Sequence, residues 1–139
     1  MNVQTYPLRF ATLGQTDVRN ITDAVQETVG RSKLQAGTAT IFCPSSTSAL
    51  TTLEYEPGCV TDLKRMFEEL APSTREYDHN AAWDDGNGHS HLRAALLGPS
   101  LTVPFSGGRL ILGRWQQIIH VDFDIRPRQR ELIVQLIGE

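Results

Sequence analysis

Residues 101–112, LTVPFSGGRLIL, decide the class of fold. Two apolar segments, Leu101 to Phe105 and Arg109 to Leu112, flank Ser106-Gly107-Gly108. A glycine pair between short apolar runs is the signature of a tight hairpin, because such turns need φ > 0 where glycine has no Cβ to clash. Toward the C-terminus two more strand-like runs follow, Trp115 to Phe123 and Glu131 to Ile137. Trp115 reads as core packing, with an amide of Gln116-Gln117 reaching the wall of a site. Upstream, His91 to Leu97 reads as one short helix with Leu92, Ala95 and Leu96 inward and Gly98 as its stop. Residues 73–88 are polar and read as a loop, long enough to carry function.

The N-terminal half fits the same architecture. Residues 3–12 alternate loosely around Pro7, which marks an edge strand. Asn20 is placed to cap a helix whose stripe is Ile21, Val25 and Val29, ending near Gly30 or Ser32. Gly37 to Cys43 and Ala49 to Glu54 read as strands, separated by the hydroxyl-rich Ser45 to Ser48. Val60, Leu63, Phe67 and Leu70 lie at helical spacing and stop before Pro72. Strands outnumber helices, and most connections suit antiparallel pairing. The expectation is a single α+β domain over residues 1–139, with a large, mostly antiparallel or mixed sheet and two to three helices packed on it.

Composition limits the function classes. An apolar fraction of 40% and a charged fraction of 21% are ordinary for a globular chain. A net charge of −3 gives no drive toward nucleic acid or anionic membrane, and no apolar run is long enough to span a bilayer. The N-terminus lacks the charged-then-apolar layout of a signal peptide. Cys43 and Cys59 are too few for a disulfide framework and read as free thiols in a reducing, cytoplasmic setting.

Chemistry concentrates between Tyr77 and His91. His79, His89 and His91 fall within thirteen residues, with Asp84, Asp85 and Asn87 between them. Imidazole and carboxylate are the ligands of zinc-like ions, and three protein ligands plus water make a catalytic centre. His79, His89, His91 and Asp85 are therefore candidate ligands of a divalent ion, zinc or magnesium. His89 and His91 share a side only if that segment is extended, since positions i and i+2 diverge on a helix. The competing account is a polar loop whose histidines only cap and hydrogen-bond. A second group is cationic: Arg126, Arg128 and Arg130 alternate, a spacing that on a strand aims them at one face suited to phosphate. A charge-guarded edge strand, or a subunit contact paired with Asp122 and Asp124, explains them equally. Ser46 and Thr47 could donate to an anion, or simply form a turn. Glu54 is the one acid near its strand.

Several segments together resemble the YjbQ family. They are Ser46 to Thr51 with Glu54, Tyr77-Asp78-His79, Asp85 to His91, Leu96 to Leu101, and Gly107 to Leu110 with Gly113 to Gln116. The resemblance implies a small α+β fold with a large sheet, assembled as a homotrimer, and a secondary thiamine-phosphate synthase activity joining a pyrimidine diphosphate to a thiazole phosphate. It implies catalytic roles for His79, His91 and Glu54, and substrate or phosphate binding by Ser46, Thr47, Gln116, Arg128 and Arg130. The family pattern has histidines at three separated places; two fall on His79 and His91, and the third falls on Ser45. The usual Asp-Gly-Pro-Arg reads Asp124-Ile125-Arg126-Pro127-Arg128. Two other functions remain open: a non-enzymatic trimer binding a metal or a phosphorylated metabolite, and a zinc-type hydrolase.

Overall fold

The computed structural model describes all residues from Met1 to Glu139. The strands are β1 (Asn2–Thr12), β2 (Asp17–Asn20), β3 (Ala36–Phe42), β4 (Ser48–Glu54), β5 (Ser100–Ser106), β6 (Arg109–Leu110), β7 (Gln116–Asp122) and β8 (Arg128–Gly138). The helices are α1 (Thr22–Ser32), α2 (Pro57–Leu70), α3 (Asp78–Trp83) and α4 (Gly88–Leu97). Every strand pair is antiparallel. One sheet has the order β1-β8-β3-β5-β6 and the other β2-β7-β4. No helix is long and apolar enough to cross a membrane.

Two cores hold these layers. The first lies inside the five-stranded sheet, where Ala39, Ile41, Val103, Phe105, Leu132, Val134 and Leu136 meet Leu50, Ile118 and the α1 stripe Ile21, Val25 and Val29. The second lies on the other face of the three-stranded sheet, where Ala49, Ile119, Val121 and Phe123 pack on Leu63 and Phe67 of α2 and Ala94 of α4. Helix α1 begins one residue later than an Asn20 cap predicts: Ile21 is the N-cap and makes no side-chain capping bond, the Asn20 Oδ1 accepts from the Thr22 amide from just outside the helix, and Lys33 closes the C-terminus at φ 65. Helix α2 starts on Glu56, whose carboxylate accepts from the Gly58 and Cys59 amides.

The structure corrects the sequence reading at three further places. Residues 73–88 are not one loop: they contain α3, and α4 begins at Gly88. There are thus four helices, α3 being six residues with no buried position and hence no apolar period to betray it. On α4 the buried residues are Gly88, His89, Ser90, Arg93 and Ala94, while Leu92 and Leu96 stand 52% and 64% exposed. The polar face wins because it has fixed partners. Arg93 donates to the Ala71 carbonyl, Thr16 and Glu68, and Ser90 donates to the Phe123 carbonyl. Trp115 is not core: it is 62% exposed, with the Arg114 guanidinium 4.8 Å from its ring centre.

Candidate functional site

The site is assembled where the ends of β4, β7 and β8 meet the start of α4. A cavity of about 420 Å3 opens there, and its lining includes Ser45, Ser46, Thr47, Asp85, His91 and Arg128. Its foundation is a buried ion cluster. Asp122 is fully buried, and Arg130 grips it through Nε at 2.6 Å and Nη2 at 2.9 Å. The same guanidinium donates to Ser45 Oγ and Thr47 Oγ1, each at 2.9 Å. Burial works to raise the Asp122 carboxyl, but bonds from Arg130, Thr12 and the Asp124 amide outweigh it and hold the group below the usual carboxylate range. Asp124 behaves likewise: burial is outweighed by donors that include Thr47 and Arg128.

Arg128 lies 3.1 Å from Asp124 through Nη2, and its buried Nε has no partner. Arg126 falls before β8 and makes no ion pair, so only Arg128 and Arg130 share the strand face that the alternation suggested. Arg130 is committed to Asp122 and to two hydroxyls. The guanidinium groups with capacity for an anion are therefore Arg126 and Arg128.

His79 and His91 converge across twelve residues, with ring centres 4.5 Å apart. Gly88 permits the approach. A Cβ there would sit 2.7 Å from Tyr77 Cβ, and the Gly88 amide donates to Asn80 Oδ1 at 2.8 Å, tying α4 to α3. Asp85 joins the pair, its Oδ1 3.4 Å from His79 Nδ1. His89 does not. Because residues 88–97 are helical, its ring diverges from His91 and points into the interior, where burial, helped by Arg93, lowers its pKa.

Two imidazoles and a carboxylate are zinc-type donors, and His79 Nδ1 is buried without a hydrogen-bond partner. Yet no three His, Cys, Asp or Glu side chains are arranged about a common point that could hold an ion. At position 45 the hydroxyl is already taken by Arg130. These residues as placed do not make a metal centre.

Glu54 and Gln116 lie elsewhere. They face each other at the far end of the β4–β7 pair, whereas Ser48 and Asp122 face each other at the site end. Six residues of strand separate the two ends, roughly 20 Å. Gln116 spends its amide on Thr52 Oγ1 and the Gly113 amide. A second cavity, of about 460 Å3, opens at that end among Glu54, Tyr55, Glu56, Trp115 and Gln117. The sequence reading named Asn87 among the polar residues between the histidines but gave it no role, although it is buried beside Asp124 with its Oδ1 unpartnered. It also missed His120, fully buried on β7 with neither ring nitrogen bonded. No local signal marks either, since both burials are made by distant strands.

Comparison with known proteins agrees with this fold. The family model described as "UPF0047 protein YjbQ-like" matches residues 7–139. A UPF0047 protein of Methanothermobacter thermautotrophicus is 37% identical over 139 residues, covering all of this chain and 95% of that protein. The UPF0047 protein YugU of Bacillus subtilis is 32% identical over 132 residues, covering 94% of this chain and 97% of that protein. Among solved structures, a YbjQ-like protein of unknown function from Sulfolobus solfataricus superposes with a TM-score of 0.90 at 31% identity. That match covers 99% of this chain and all of the other. A YjbQ/UPF0047 protein from Clostridium acetobutylicum gives a TM-score of 0.87 at 30% identity, covering 95% and 99%.

Proposed function

We propose that this chain, which belongs to the YjbQ-like UPF0047 family, binds a small phosphorylated metabolite between Arg126, Arg128 and the Ser46-Thr47 turn, with the His79–His91 pair beside it to move a proton. One observation carries the reading: the unpartnered Nε of Arg128, next to Arg126 with no carboxylate of its own, inside a cavity walled by polar residues. Buried donors without acceptors are costly, and a phosphate oxygen would satisfy them. The fixed Asp122–Arg130 pair beneath would hold that wall in place without being consumed by the ligand.

The reaction implied by the family resemblance suits such a pocket. A pyrimidine diphosphate and a thiazole phosphate would be joined by a new carbon–nitrogen bond. The carbon–oxygen bond to diphosphate breaks, and the leaving group departs with the electron pair. Its growing negative charge is what Arg126 and Arg128 would stabilise, and His79 or His91 could hand it a proton. Assembly as a homotrimer belongs to the same reading. Both cysteines are free, with Cys43 buried, which suits a reducing cytoplasm.

Calorimetric titration with inorganic pyrophosphate tests the pocket. Wild type should bind, and Arg128→Ala should weaken binding at least tenfold; no binding by wild type overturns the reading. His79→Ala and His91→Ala then separate catalysis from binding. Lost turnover of the two phosphorylated substrates with unchanged oligomer mass supports an enzyme. Retained binding, with no turnover even in wild type, leaves a metabolite-binding protein.

A further inference from the structure

The anion pocket is only part of the concavity at this end of the sheets. Beside it lies a second cavity of about 240 Å3, and the two share Ser45, Ser46 and His91. The rest of the second wall is Ser48, Ala94, Ala95 and Pro99, with no aspartate, glutamate, lysine or arginine. Ser48 is buried and its hydroxyl is already bonded to the Cys43 thiol at 3.0 Å. What remains open to a ligand there is two methyl groups and a proline ring. Helix α4 sets this arrangement, because positions 91, 94 and 95 fall at the spacing that shares one helix face. The helix thus carries His91 to the junction of the two cavities and the alanine methyls to the second. Ser45 adds a donor at the same junction. Its Oγ accepts from Arg130 Nη1 at 2.9 Å and from the Thr47 amide at 3.1 Å. Both lone pairs are then taken, and its one proton is left to donate.

We infer that the second cavity takes the carbon part of the ligand within this same chain, and that the ligand is a phosphomonoester of a short, uncharged, aliphatic alcohol. Its phosphate lies on Arg126 and Arg128, its ester oxygen accepts from Ser45 at the junction beside His91, and its chain runs along Ala94, Ala95 and Pro99. The class follows from the walls. An aliphatic chain gains by leaving water for methyl groups. An ammonium or carboxylate on that chain would lose its hydration and meet no fixed opposite charge. Length is set by Ala95, whose small side chain leaves the cavity open. The inference rests on the phosphate-binding reading above and deepens it by naming the substrate class.

Calorimetric titration with a series of alkyl phosphates tests it. From methyl to ethyl to propyl phosphate the wild-type affinity should rise about threefold per added carbon, as for a methylene taken out of water. Phosphoethanolamine, which is ethyl phosphate ending in an ammonium, should bind more weakly than ethyl phosphate. Ala95 is exposed and helical, so Ala95→Leu keeps a good helix former there. It should bring propyl phosphate down to the affinity of methyl phosphate. Ala95→Trp should do the same with a larger group, which covers the case of a leucine turned to solvent. Arg128→Ala should weaken the whole series together. Equal affinity of wild type for the three alkyl phosphates overturns the inference, and so does a propyl gain that survives in both Ala95 variants. Inorganic pyrophosphate separates the two readings. If it binds while chain length brings no gain, only this inference falls; if neither it nor any alkyl phosphate binds, the phosphate reading falls too.

Discussion

At the scale of single residues, the most exposed physical liability is His120. Its ring is fully buried against Phe10, centres 5.1 Å apart, and neither nitrogen has a partner. Desolvation is the main cause that lowers its pKa from 6.5 to about 4; Asp122 and Asp17 pull the other way, and Arg130 and Arg19 add to the lowering. The sign is definite. Between pH 6.5 and 4 the unfolded chain binds a proton that the folded chain refuses, so stability falls as pH drops through that window. The shift corresponds to about 3 kcal/mol. Asp122 and Asp124, being depressed, lose their contribution only at lower pH, below the ordinary carboxylate value. Urea unfolding of wild type and His120→Leu at pH 7 and pH 4.5 should show the variant losing about 2 kcal/mol less on acidification. Parallel losses would mean that His120 is solvated or paired. Position 45 carries a second prediction. Ser45 now serves Arg130, and His79 with His91 leaves a two-imidazole remnant. Wild type should take up zinc weakly, and Ser45→His should tighten it at least tenfold by restoring a third donor. Calorimetric titration of both forms decides, and equal affinity would put residue 45 outside any ion site. The convergence of His79, His91 and Asp85 was legible in the sequence because one short segment carries all three. Pairing of the arginines with Asp122 and Asp124 was legible only as a subunit contact; that Arg130 grips Asp122 within the chain was not, because it depends on β7 lying beside β4 and on β8 beginning at the same place.

Elements show where pattern reading succeeds and where it inverts. Val25 and Val29 on α1, and Leu63 and Phe67 on α2, are buried as their spacing required, since each helix has one apolar face and one core to put it in. The Gly107-Gly108 turn joins β5 to β6 as the glycine pair demanded, both residues at positive φ. Helix α4 inverts the rule. Its hydrophobic residues are spaced for burial, but Arg93 supplies hydrogen bonds that Leu92 cannot, and one helix cannot bury both faces. Arg93 thereby ties α4 to the end of α2 and to Thr16 ahead of β2. Its hold on Glu68, with help from Ser73, takes that carboxyl down to about 2. Arg93→Met keeps much of the volume and removes every donor, leaving the Ala71 carbonyl unpaired. The expected loss is about 3 kcal/mol in urea unfolding at pH 7, from a buried charged hydrogen-bond group without replacement. A loss under about 1 kcal/mol would show that water takes over the Ala71 carbonyl and that α4 is held by Ala94 and its neighbours alone.

For the molecule as a whole, the topology places in contact residues that the sequence keeps far apart. Asn2 pairs with Gly138, and β3 lies between β8 and β5. No local pattern reports such pairings, so the sequence yields strands without their order. The same order exposes a surface that calls for cover. Across the outer face of the five-stranded sheet, Pro7, Ile133 and Phe42 lie in register, and Phe42 stands 43% exposed. Trp83, Leu96 and Trp115 add large apolar groups at the ends. Strands β1, β2, β4 and β6 are sheet edges. A monomer of 15.5 kDa with this much open edge and apolar area is prone to pair with other chains. If the assembly is the homotrimer that the family resemblance implies, light scattering at micromolar concentration should give three times the chain mass. Because the two strand ends carry unlike charge, with Glu54 and Arg126 unpaired in the single chain, the assembly should also respond to salt. At 1 M ionic strength the screening length shrinks to about 3 Å, removing attraction between exposed charges while strengthening none of the apolar contact by a comparable amount. The trimer should then dissociate at protein concentrations several-fold higher than at 0.1 M. A trimer indifferent to salt would be held by the apolar sheet face, and a monomer at both ionic strengths would show that these surfaces await another partner.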